Sequence, residues 1–386
     1  MSTAPFPPQA YAATLAGLGE MTIHRLVALL RDHTPADAFA VAAGQLPPRP
    51  GGLVARVLDE PKVRAEWRAG ARPERVGEVW ARCNELGLMV TIASDPEHPA
   101  VLAHDPLPVP VLFSLGDRSL LQGRRVAMVG TRNATAAGRH IARLFGTGLA
   151  LAGVQVVSGL ARGVDGQSHL GVFEAIDRRG ESGTGRPVAV VASGHDVVYP
   201  REHRALWQRV ATEGLLLSES PPGMRPEAFR FPLRNRLVAA LSEIVVVVES
   251  RERGGSLLTA GMAADRGVPV MAVPGHAASR ASLGTNGLLR DGAAPALDVG
   301  DILMALDLDH ARQLSGWVDA RRPPRHDDRE VLQVCRGEAL TIDGVAARLG
   351  KSLLDVAMAL ARLEQAGWLW QADGWYESLD PPQRHC

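Results

Sequence analysis

Two turns that combine glycine with arginine each follow a short apolar run in the first half of the chain. The run 126–129 ends in Gly130-Thr131-Arg132, and the run 154–157 ends in Ser158-Gly159-Leu160-Ala161-Arg162. When a parallel strand leads into a helix through such a turn, backbone N–H groups and the helix amino end lie over the carboxyl edge of the sheet. Arginine beside those amides indicates a ligand that carries phosphate.

The phosphate ligand is not expected to be a nicotinamide or flavin dinucleotide. The G-x-G-x-x-G fingerprint requires glycine at the position that Arg132 occupies, because backbone must approach the pyrophosphate there. From Gln122 to Val164 there are six arginines and no acidic residue, although the whole chain has 42 basic and 42 acidic residues. A local cationic patch on a neutral protein indicates a polyanion bound to one face.

Further candidate strand ends carry neutral donors and arginine. We assign to the same site the ring of Phe231, on which a base could stack, and six polar residues: Arg234, Asn235, Arg236, Ser256, Thr259 and Asn286. If residues 231–236 are extended, Arg234 and Arg236 share one face and Asn235 takes the other. We expect Arg132, Arg162 and Arg234 to converge above the sheet.

Each of these assignments has a structural alternative. Arg132 could pair with a carboxylate or cap a helix, and Arg162 could form an ion pair with Asp165 three residues later. Phe231 could fill the core, and Ser158 could be a hydrogen-bonding turn residue. His195, Asp196 and His203 match no catalytic or metal-binding motif, so we expect no catalytic residue, metal or cofactor.

From about residue 88 to 306 the sequence predicts strands that alternate with helices. These elements must position the candidate residues. The strand candidates are 88–92, 111–115, 126–129, 155–157, 188–191, 215–217, 244–248 and 268–273. The continuous apolar run 244–248 is typical of a parallel sheet covered by helices on both faces. The sequence therefore predicts a doubly wound α/β domain with a mostly parallel, extended Rossmann-like sheet.

Two smaller domains are predicted around it. Residues 1–75 read as a helical domain of the helix-hairpin-helix or SAM-like kind, with two short helices around Gly17-Leu18-Gly19. The α/β domain covers 76–309, a linker 310–326, and a winged helix 327–386. In the winged helix, Thr341 and Ser352 are expected to cap the second and third helices, Gly367 to end the third, and Asp373-Gly374 to turn a β-hairpin.

Composition limits the cellular setting. The three cysteines, Cys83, Cys335 and Cys386, are far apart and have no zinc or redox spacing. The first residues do not read as a secretory leader, and no apolar run is long enough to span a membrane. We therefore expect a cytoplasmic protein with reduced thiols and no membrane partner.

Taken in order, the motifs resemble one known family. They are Val-Gly-Thr-Arg at 129–132, Ser-Gly-Leu-Ala-Arg-Gly-Val-Asp at 158–165, Tyr-Pro at 199–200, Phe-Pro-x-Arg-Asn-Arg at 231–236, Ser-Leu-Leu-Thr-Ala at 256–260 and Val-Pro-Gly at 273–275. Over about residues 88–298 this series closely resembles the DNA-processing protein A family, also called Smf.

The resemblance implies a function and a set of contacts. Members of that family bind single-stranded DNA through an extended Rossmann domain, form homodimers through it, and help load RecA recombinase during natural transformation. Gly130, Thr131 and Arg132 would line the DNA pocket, with Arg162 and residues 231–236 beside them. The sequence does not distinguish a role in transformation from one in repair.

Two other functions remain open at this stage. One is a Rossmann-like nucleotide-binding enzyme of the phosphoribohydrolase type, which needs a positioned acid or base. For it the predicted turns offer Asp165, Asp196 and Glu249. The other is a DNA-responsive regulator that reads duplex DNA with the winged helix.

Overall fold

The computed structural model describes residues 5–308, 323–366, 368–372 and 374–378. Contacts divide the chain into an α/β unit, residues 78–105 and 111–314, and a second unit formed by the residues before 78, residues 106–110 and the C-terminal part. Most of the predicted linker 310–326, together with Gly367 and Asp373, lies outside the described residues. The predicted domain boundaries therefore stay predictions.

A nine-stranded sheet forms the centre of the α/β unit. Its strands are β1 (Met89–Ile92), β2 (Val111–Gly116), β3 (Arg125–Val129), β4 (Gln155–Ser158), β5 (Pro187–Val190), β6 (Leu215–Ser218), β7 (Ile244–Val247), β8 (Val270–Ala272) and β9 (Ala294–Pro295). Eight of them correspond to the predicted strands, whereas the two-residue β9 was not predicted. All four residues of β7 are buried, as its continuous apolar sequence requires.

The sheet is mostly parallel, as predicted, and its order is β1-β2-β6-β5-β4-β3-β7-β8-β9. Strands β1 and β2 pair with each other and β2 pairs with β6 in antiparallel register; the other pairs are parallel. From β3 the chain adds β4 and β5 on one side and β7 on the other, so the topological switch lies between β3 and β7. Loops that follow β3, β4 and β5 are therefore neighbours at the carboxyl edge.

Eight helices of the described α/β region connect these strands. They are α7 (Ala100–Ala103), α8 (Ala136–Leu151), α9 (Val164–Arg179), α10 (Arg204–Glu213), α11 (Arg230–Ala240), α12 (Gly255–Asp265), α13 (Leu283–Arg290) and α14 (Val299–Leu308). Apolar residues of α8, α9, α10 and α14 pack on the sheet in one core that includes Met128, Phe145, Phe173 and Val246. The first turn of α11 contains Pro232, which a first helical turn tolerates because its N–H groups have no partner inside the helix.

Helices α8 and α9 cross at very short distance because two glycines face the other backbone. A Cβ atom on Gly146 would lie 2.2 Å from the Ser168 carbonyl oxygen, and one on Gly171 would lie 2.1 Å from that of Arg143. The hydroxyl of Thr147 donates to the Gly171 carbonyl oxygen at 2.9 Å. This crossing fixes the two helices that begin directly after the glycine-arginine turns.

The second unit begins with α1 (Pro8–Ala16), α2 (Ile23–Asp32), α3 (Pro35–Ala42), α4 (Leu53–Val57), α5 (Pro61–Gly70) and the start of α6 (Pro73–Glu85). The first two helices flank the predicted Gly17-Leu18-Gly19 turn. Thr22 caps α2 by accepting a hydrogen bond from Arg25 N at 3.2 Å. The assignment of this helical segment to the helix-hairpin-helix or SAM-like kind stays a prediction.

The C-terminal part of this unit contains α15 (Asp328–Gly337), β10 (Leu340–Thr341), α16 (Ile342–Leu349), α17 (Leu353–Gln365), β11 (Leu369–Ala372) and β12 (Trp375–Ser378). The predicted caps are confirmed: Thr341 accepts from Gly344 N at 3.2 Å and Ser352 from Asp355 N at 3.1 Å. Strand β12 pairs with both β10 and β11, so the sheet has one strand more than the expected hairpin. The winged-helix assignment itself stays a prediction.

In the parts of the chain that the structure describes, none of the helices combines the length and the apolar character needed to cross a membrane.

Candidate nucleic-acid interface

The turns after β3, β4 and β5 and the start of α11 enclose a pocket of about 220 Å³ at the carboxyl edge of the sheet. Its lining residues are Arg132, Asn133, Gly159, Ala161, Arg162, Val191, Ala192, Ser193, Tyr199, Pro200, Pro226, Phe231 and Arg234. The three arginines that the sequence was expected to bring together thus lie in one pocket. Five of the predicted contact residues line it: Arg132, Gly159, Arg162, Phe231 and Arg234.

Arg132 is an exposed cation of this pocket. Its guanidinium carbon lies 4.5 Å from the centre of the Phe231 ring, a cation–π geometry that fixes the side chain without neutralising its charge. Within the described residues, no carboxylate lies within ion-pair distance of Arg132. One of the two structural alternatives for Arg132, pairing with a carboxylate, is therefore not found among these residues.

Arg162 is exposed, but it has an acidic partner. Its Nε lies 2.5 Å from Glu202 Oε1, and both side chains are more than half exposed. The alternative weighed for this residue was a pair with Asp165, and the structure differs because Asp165 is buried and accepts a hydrogen bond from Gly159 N at 3.1 Å. An exposed pair of this kind contributes at most about 1 kcal/mol, so a phosphate can compete for Arg162.

Arg234 forms the base of the pocket and is almost completely buried. Its Nη1 donates to the carbonyl oxygen of Gly159 at 2.5 Å and also to that of Val190, and its Nε donates to Asn235 Oδ1 at 3.1 Å. Burial lowers the pKa of this guanidinium to about 10, and the charge of Asp165 opposes that shift. Arg234 therefore stays charged at neutral pH and places a buried positive charge beneath the pocket.

Phe231 has a different environment from the one expected. Besides the contact with Arg132, its ring centre lies 5.5 Å from that of Tyr199, with the two planes tilted by 52°. The ring is half-buried and already in contact with a guanidinium and an aromatic neighbour. Its position indicates that it orients Arg132, and the proposed base stacking on Phe231 has less free surface than the sequence suggested.

The expectation that helix amino ends hold the phosphate is wrong for α8 and for the turn before α9, because carboxylates of the chain occupy these positions. Glu249 Oε1 accepts from Thr135 N at 2.9 Å, and the other oxygen accepts from the Thr135 hydroxyl. A Cβ on Gly138 would lie 2.5 Å from Glu249 Oε2. At the β3–β7 switch, where Rossmann proteins hold pyrophosphate, this chain thus holds its own anion, and Asp165 does the same at Gly159.

Three of the predicted residues support the turns and do not line the pocket. Ser158 is fully buried, and its hydroxyl donates to the Met128 carbonyl oxygen at 2.6 Å, which is the structural role weighed for it. Gly130 permits close packing of the two turns, because a Cβ there would lie 2.4 Å from Val164 Cγ2. Thr131 N donates to Glu249 O at 2.8 Å.

Residues 231–236 lie in the first turns of α11, so the condition under which Arg234 and Arg236 would share a face, an extended segment, is not met. On a helix, Arg234 and Arg236 cannot share a face. Arg236 is buried, with Nη2 at 2.5 Å from Glu219 Oε1 and Nη1 at 3.7 Å from Asp105 Oδ1. It belongs to a buried ionic network in which Arg266 also binds Asp105, so it is a structural residue. Asn235 accepts from Arg234 and does not line the pocket.

The three remaining candidates lie on α12 and α13, and they are not pocket residues either. Ser256 is buried and its hydroxyl donates to Ser250 Oγ at 2.9 Å, and Thr259 is buried in the same helix. Asn286 binds the backbone of Gly275 with both side-chain atoms, at 3.1 Å to N and 3.0 Å to O. The Ser256 contact holds the loop after β7 in place, and the Asn286 contacts hold the loop after β8.

Several residues of the pocket were not predicted to belong to the site. Asn133 follows Arg132 directly, and Tyr199-Pro200, a peptide bond in cis geometry, belongs to a candidate strand-end loop and to the family motifs but was given no contact role. Neither the type nor the spacing of Ser193 and Pro226 indicated a binding residue, because they belong to loops whose approach to the pocket depends on the fold. Their position after β5 and before α11 could have suggested it.

The side chains that line the pocket are suited to binding a ligand and not to acid–base catalysis. None of the described lining residues carries a carboxylate, an imidazole or a thiol. His195 lies nearby in sequence, but it is buried against the Leu216 carbonyl oxygen at 3.0 Å, and burial lowers its pKa to about 4. Asp196 accepts from Gly223 N and pairs with Arg82. Over the described residues, no group of three or more potential metal ligands is arranged around one point.

Comparison with known proteins agrees with this architecture. The sequence pattern of the DNA recombination-mediator protein A family matches residues 89–307. The DNA processing protein DprA of Mycobacterium tuberculosis is 41% identical over 285 residues, which are 72% of this chain and 69% of the relative.

Two solved structures are similar as well. DNA processing protein A of Streptococcus pneumoniae aligns with a TM-score of 0.63 and 26% identity, over 78% of this chain and 98% of that chain. DNA processing protein A of Helicobacter pylori, whose structure concerns its single-stranded DNA binding mode, aligns with a TM-score of 0.49 and 28% identity, over 57% of this chain and 96% of that chain. Because the family pattern spans more than half of the sequence, the chain belongs to the DNA recombination-mediator protein A family, which includes the DNA processing proteins DprA and Smf.

Proposed function

We propose that this protein binds single-stranded DNA without catalysing a reaction, and that it holds the DNA backbone in the pocket at the carboxyl edge of the sheet. The observation that carries the proposal is Arg132. It is an exposed guanidinium, held against Phe231, with no carboxylate partner among the described residues. A positioned and unneutralised guanidinium is a site for a phosphate oxygen.

The charges around Arg132 support the same ligand class. Arg234 adds a buried positive charge below the pocket, where the low dielectric strengthens its attraction for an anion. Arg162 adds a second exposed guanidinium at the rim, where its ion pair with Glu202 can be exchanged. Three guanidinium groups around one opening match the repeated charge of a nucleic-acid backbone.

A single strand is favoured over a duplex by the form of the site. The lining carries aromatic and apolar surface next to the arginines from Tyr199 and Pro226, whereas the Phe231 ring already contacts the Arg132 guanidinium. Such surface is useful for unpaired bases, whose faces are free to stack. In a duplex those faces are already stacked inside the helix, so only the backbone would meet the pocket.

The enzyme alternative has less support. A phosphoribohydrolase needs an acid or base within reach of the glycosidic bond. Of the three candidates, Asp165 is buried under the pocket, Asp196 is bound to Arg82, and Glu249 caps α8. A non-catalytic role therefore remains our proposal.

The regulator alternative depends on the C-terminal part of the chain. There, three basic side chains have acidic partners: Lys351 lies 2.8 Å from Glu330, Arg362 2.5 Å from Asp328, and Arg348 also contacts Glu338. These pairs reduce the positive charge that phosphate contacts in a major groove would need. We therefore propose that duplex binding by this part is not the main activity.

The proposal includes two partners that rest on the family resemblance. We propose that the protein acts as a homodimer and that it helps load RecA recombinase on single-stranded DNA in transformation or recombination. Sedimentation equilibrium tests the first and should give twice the chain mass. RecA ATPase activity on strands coated with single-strand-binding protein tests the second, and it should rise when the protein is added.

The central test uses the full chain and fluorescence anisotropy. A labelled oligothymidine is bound first, and unlabelled single-stranded or duplex DNA of the same length is then added as competitor. We expect the single strand to displace the label at much lower concentration than the duplex. Preferential displacement by the duplex would favour the regulator, and no binding of the label would refute the proposal.

A further inference from the structure

The environment of Phe231 raises the question of which ring supports the bases. One face of Phe231 meets the Arg132 guanidinium at 4.5 Å, and Tyr199 lies against the ring at 5.5 Å. Pocket-lining arginines bind phosphate, but a strand without base pairs also needs an apolar surface for its bases. That surface must be exposed and within one nucleotide of the pocket.

Phe229 meets both requirements. It directly precedes α11, and its side chain is 57% exposed, more than that of Tyr199, which is 39% exposed. Pro226 and Phe231 on either side of it in sequence both line the pocket. Because consecutive Cα atoms are 3.8 Å apart, the Cα atoms of Phe229 and Phe231 are at most about 7.6 Å apart.

The immediate neighbours of Phe229 are suited to a nucleotide. The guanidinium carbon of Arg230 lies 5.0 Å from the centre of the Phe229 ring, so the ring carries a cation on one side. Arg230 Nε lies 3.2 Å from Glu227 Oε2, which holds the arginine in this position. The exposed part of the Phe229 ring remains in contact with water in the free protein, and a base that covers it would remove that apolar surface from water.

We propose that Phe229 is the platform on which a base of the single strand stacks, next to the nucleotide whose phosphate is held by Arg132. This inference rests on the proposed function and extends it to the base side of the ligand. The site then spans at least two nucleotides, with the backbone in the pocket and a base on the ring outside it. Because every base has a flat aromatic face, the contact has little sequence preference.

The experiment tests whether the Phe229 ring contacts one particular base of the strand. Oligothymidines with a single abasic position, moved along the strand, are titrated against the wild-type full chain and against Phe229→Ala by fluorescence anisotropy. We expect Phe229→Ala to weaken binding of the intact strand by roughly 5- to 150-fold. One abasic position should weaken the wild type by a similar factor and should have no further effect on Phe229→Ala.

Two further variants make the result specific. Phe229→Trp keeps an aromatic face, so it should bind the intact strand like the wild type and show tryptophan quenching on binding. Met304→Ala removes another exposed apolar side chain, on α14 away from the pocket loops, and should bind normally. Circular dichroism confirms that each variant is folded.

The outcomes separate this inference from the proposed function. If Phe229→Ala binds every strand like the wild type while Arg132→Ala is weakened, the inference is wrong and the phosphate pocket stands. The inference is also wrong if Phe229→Ala keeps the full penalty at each abasic position, since Phe229 would then act through the protein and not through a base. If the wild type binds no single strand, both proposals fail.

Discussion

The guanidinium carbon of Arg132 lies 4.5 Å from the centre of the Phe231 ring, and this contact joins the turn after β3 to the first turn of α11. Two segments about a hundred residues apart in sequence thus depend on each other to form one phosphate site. A mobile arginine would lose side-chain entropy when it binds a phosphate, and prior contact with the ring reduces that cost.

Phe231→Leu tests this positioning role. The variant keeps an apolar side chain but removes the ring, so Arg132 becomes free to adopt other rotamers. We expect single-strand affinity to fall by about 0.5 to 2 kcal/mol, the range of a cation–π contact. In an Arg132→Ala background the same substitution should change affinity little, and an undiminished effect there would contradict the coupling.

Glu202→Gln tests whether the Arg162 ion pair competes with DNA. The substitution removes a carboxylate that lies 2.5 Å from the Arg162 Nε and repels phosphate. We expect tighter single-strand binding at low salt, by up to about 1 kcal/mol, with the difference fading at high salt. Glu181→Gln is the matched control, because Glu181 also pairs with an arginine, Arg186, but lies outside the pocket lining. Weaker binding by Glu202→Gln would contradict the account.

Much of this site could be predicted because its arginines follow strands directly. Arg132 comes three residues after β3 and Arg162 four residues after β4. Neighbouring parallel strands place such turns side by side at the same edge of the sheet, independently of the other loops. The positions of the strands could be predicted equally well, since their apolar runs are continuous and bounded by turn residues. The family resemblance added the Tyr199-Pro200 turn but no role for it.

The misassigned residues depend on contacts that local sequence does not contain. Arg236 was assigned to the site with Arg234 from the Phe-Pro-x-Arg-Asn-Arg motif, but it is buried on a helix and its partners Asp105 and Glu219 are distant in sequence. Glu249 was considered as a catalytic candidate, although it caps α8 from the end of a different strand. Such long-range pairs depend on the tertiary fold and not on spacing.

The crossing of α8 and α9 predicts a strong effect on stability. Gly171→Ala would place a Cβ 2.1 Å from the Arg143 carbonyl oxygen, so the helices must move apart. We expect a loss of about 1 to 3 kcal/mol in the free energy of unfolding, measured by urea denaturation. Gly261→Ala in α12 is the control, because no atom lies within 4 Å of its added Cβ, and it should be neutral or slightly stabilising. Equal effects of the two substitutions would argue against the crossing as described.

Buried histidines predict acid sensitivity. Burial lowers the pKa of His98 to about 4, of His169 to about 3 and of His195 to about 4. Below pH 6.5 the unfolded chain binds protons that the folded chain does not, so stability falls as the pH decreases. Each histidine contributes a loss of up to about 2 kcal/mol between about pH 6.5 and pH 5.

Two buried carboxyls act in the opposite direction, and for Asp165 as for Glu219 the cause is burial, which raises the pKa. Burial raises the pKa of Glu219 to about 7, so its contribution to stability grows as the pH falls toward its usual range. Three histidines outweigh these two carboxyls, and we expect a net decrease in the free energy of unfolding between about pH 7 and pH 5. His195→Gln, which keeps a donor for the Leu216 carbonyl oxygen, should flatten the pH dependence. A stability that rises on acidification would show that the histidines are not buried as described.

The most direct test of the phosphate pocket is the salt dependence of single-strand binding by Arg132→Ala. Fluorescence anisotropy gives the logarithm of the binding constant against the logarithm of salt concentration for the wild type, for Arg132→Ala and for Arg178→Ala, an exposed arginine in the last turn of α9 at the opposite end from the pocket turns. The account predicts weaker binding by Arg132→Ala and a slope shallower by about 0.7, the value for one phosphate contact on a single strand, while Arg178→Ala matches the wild type. An unchanged affinity and slope for Arg132→Ala would contradict the central claim.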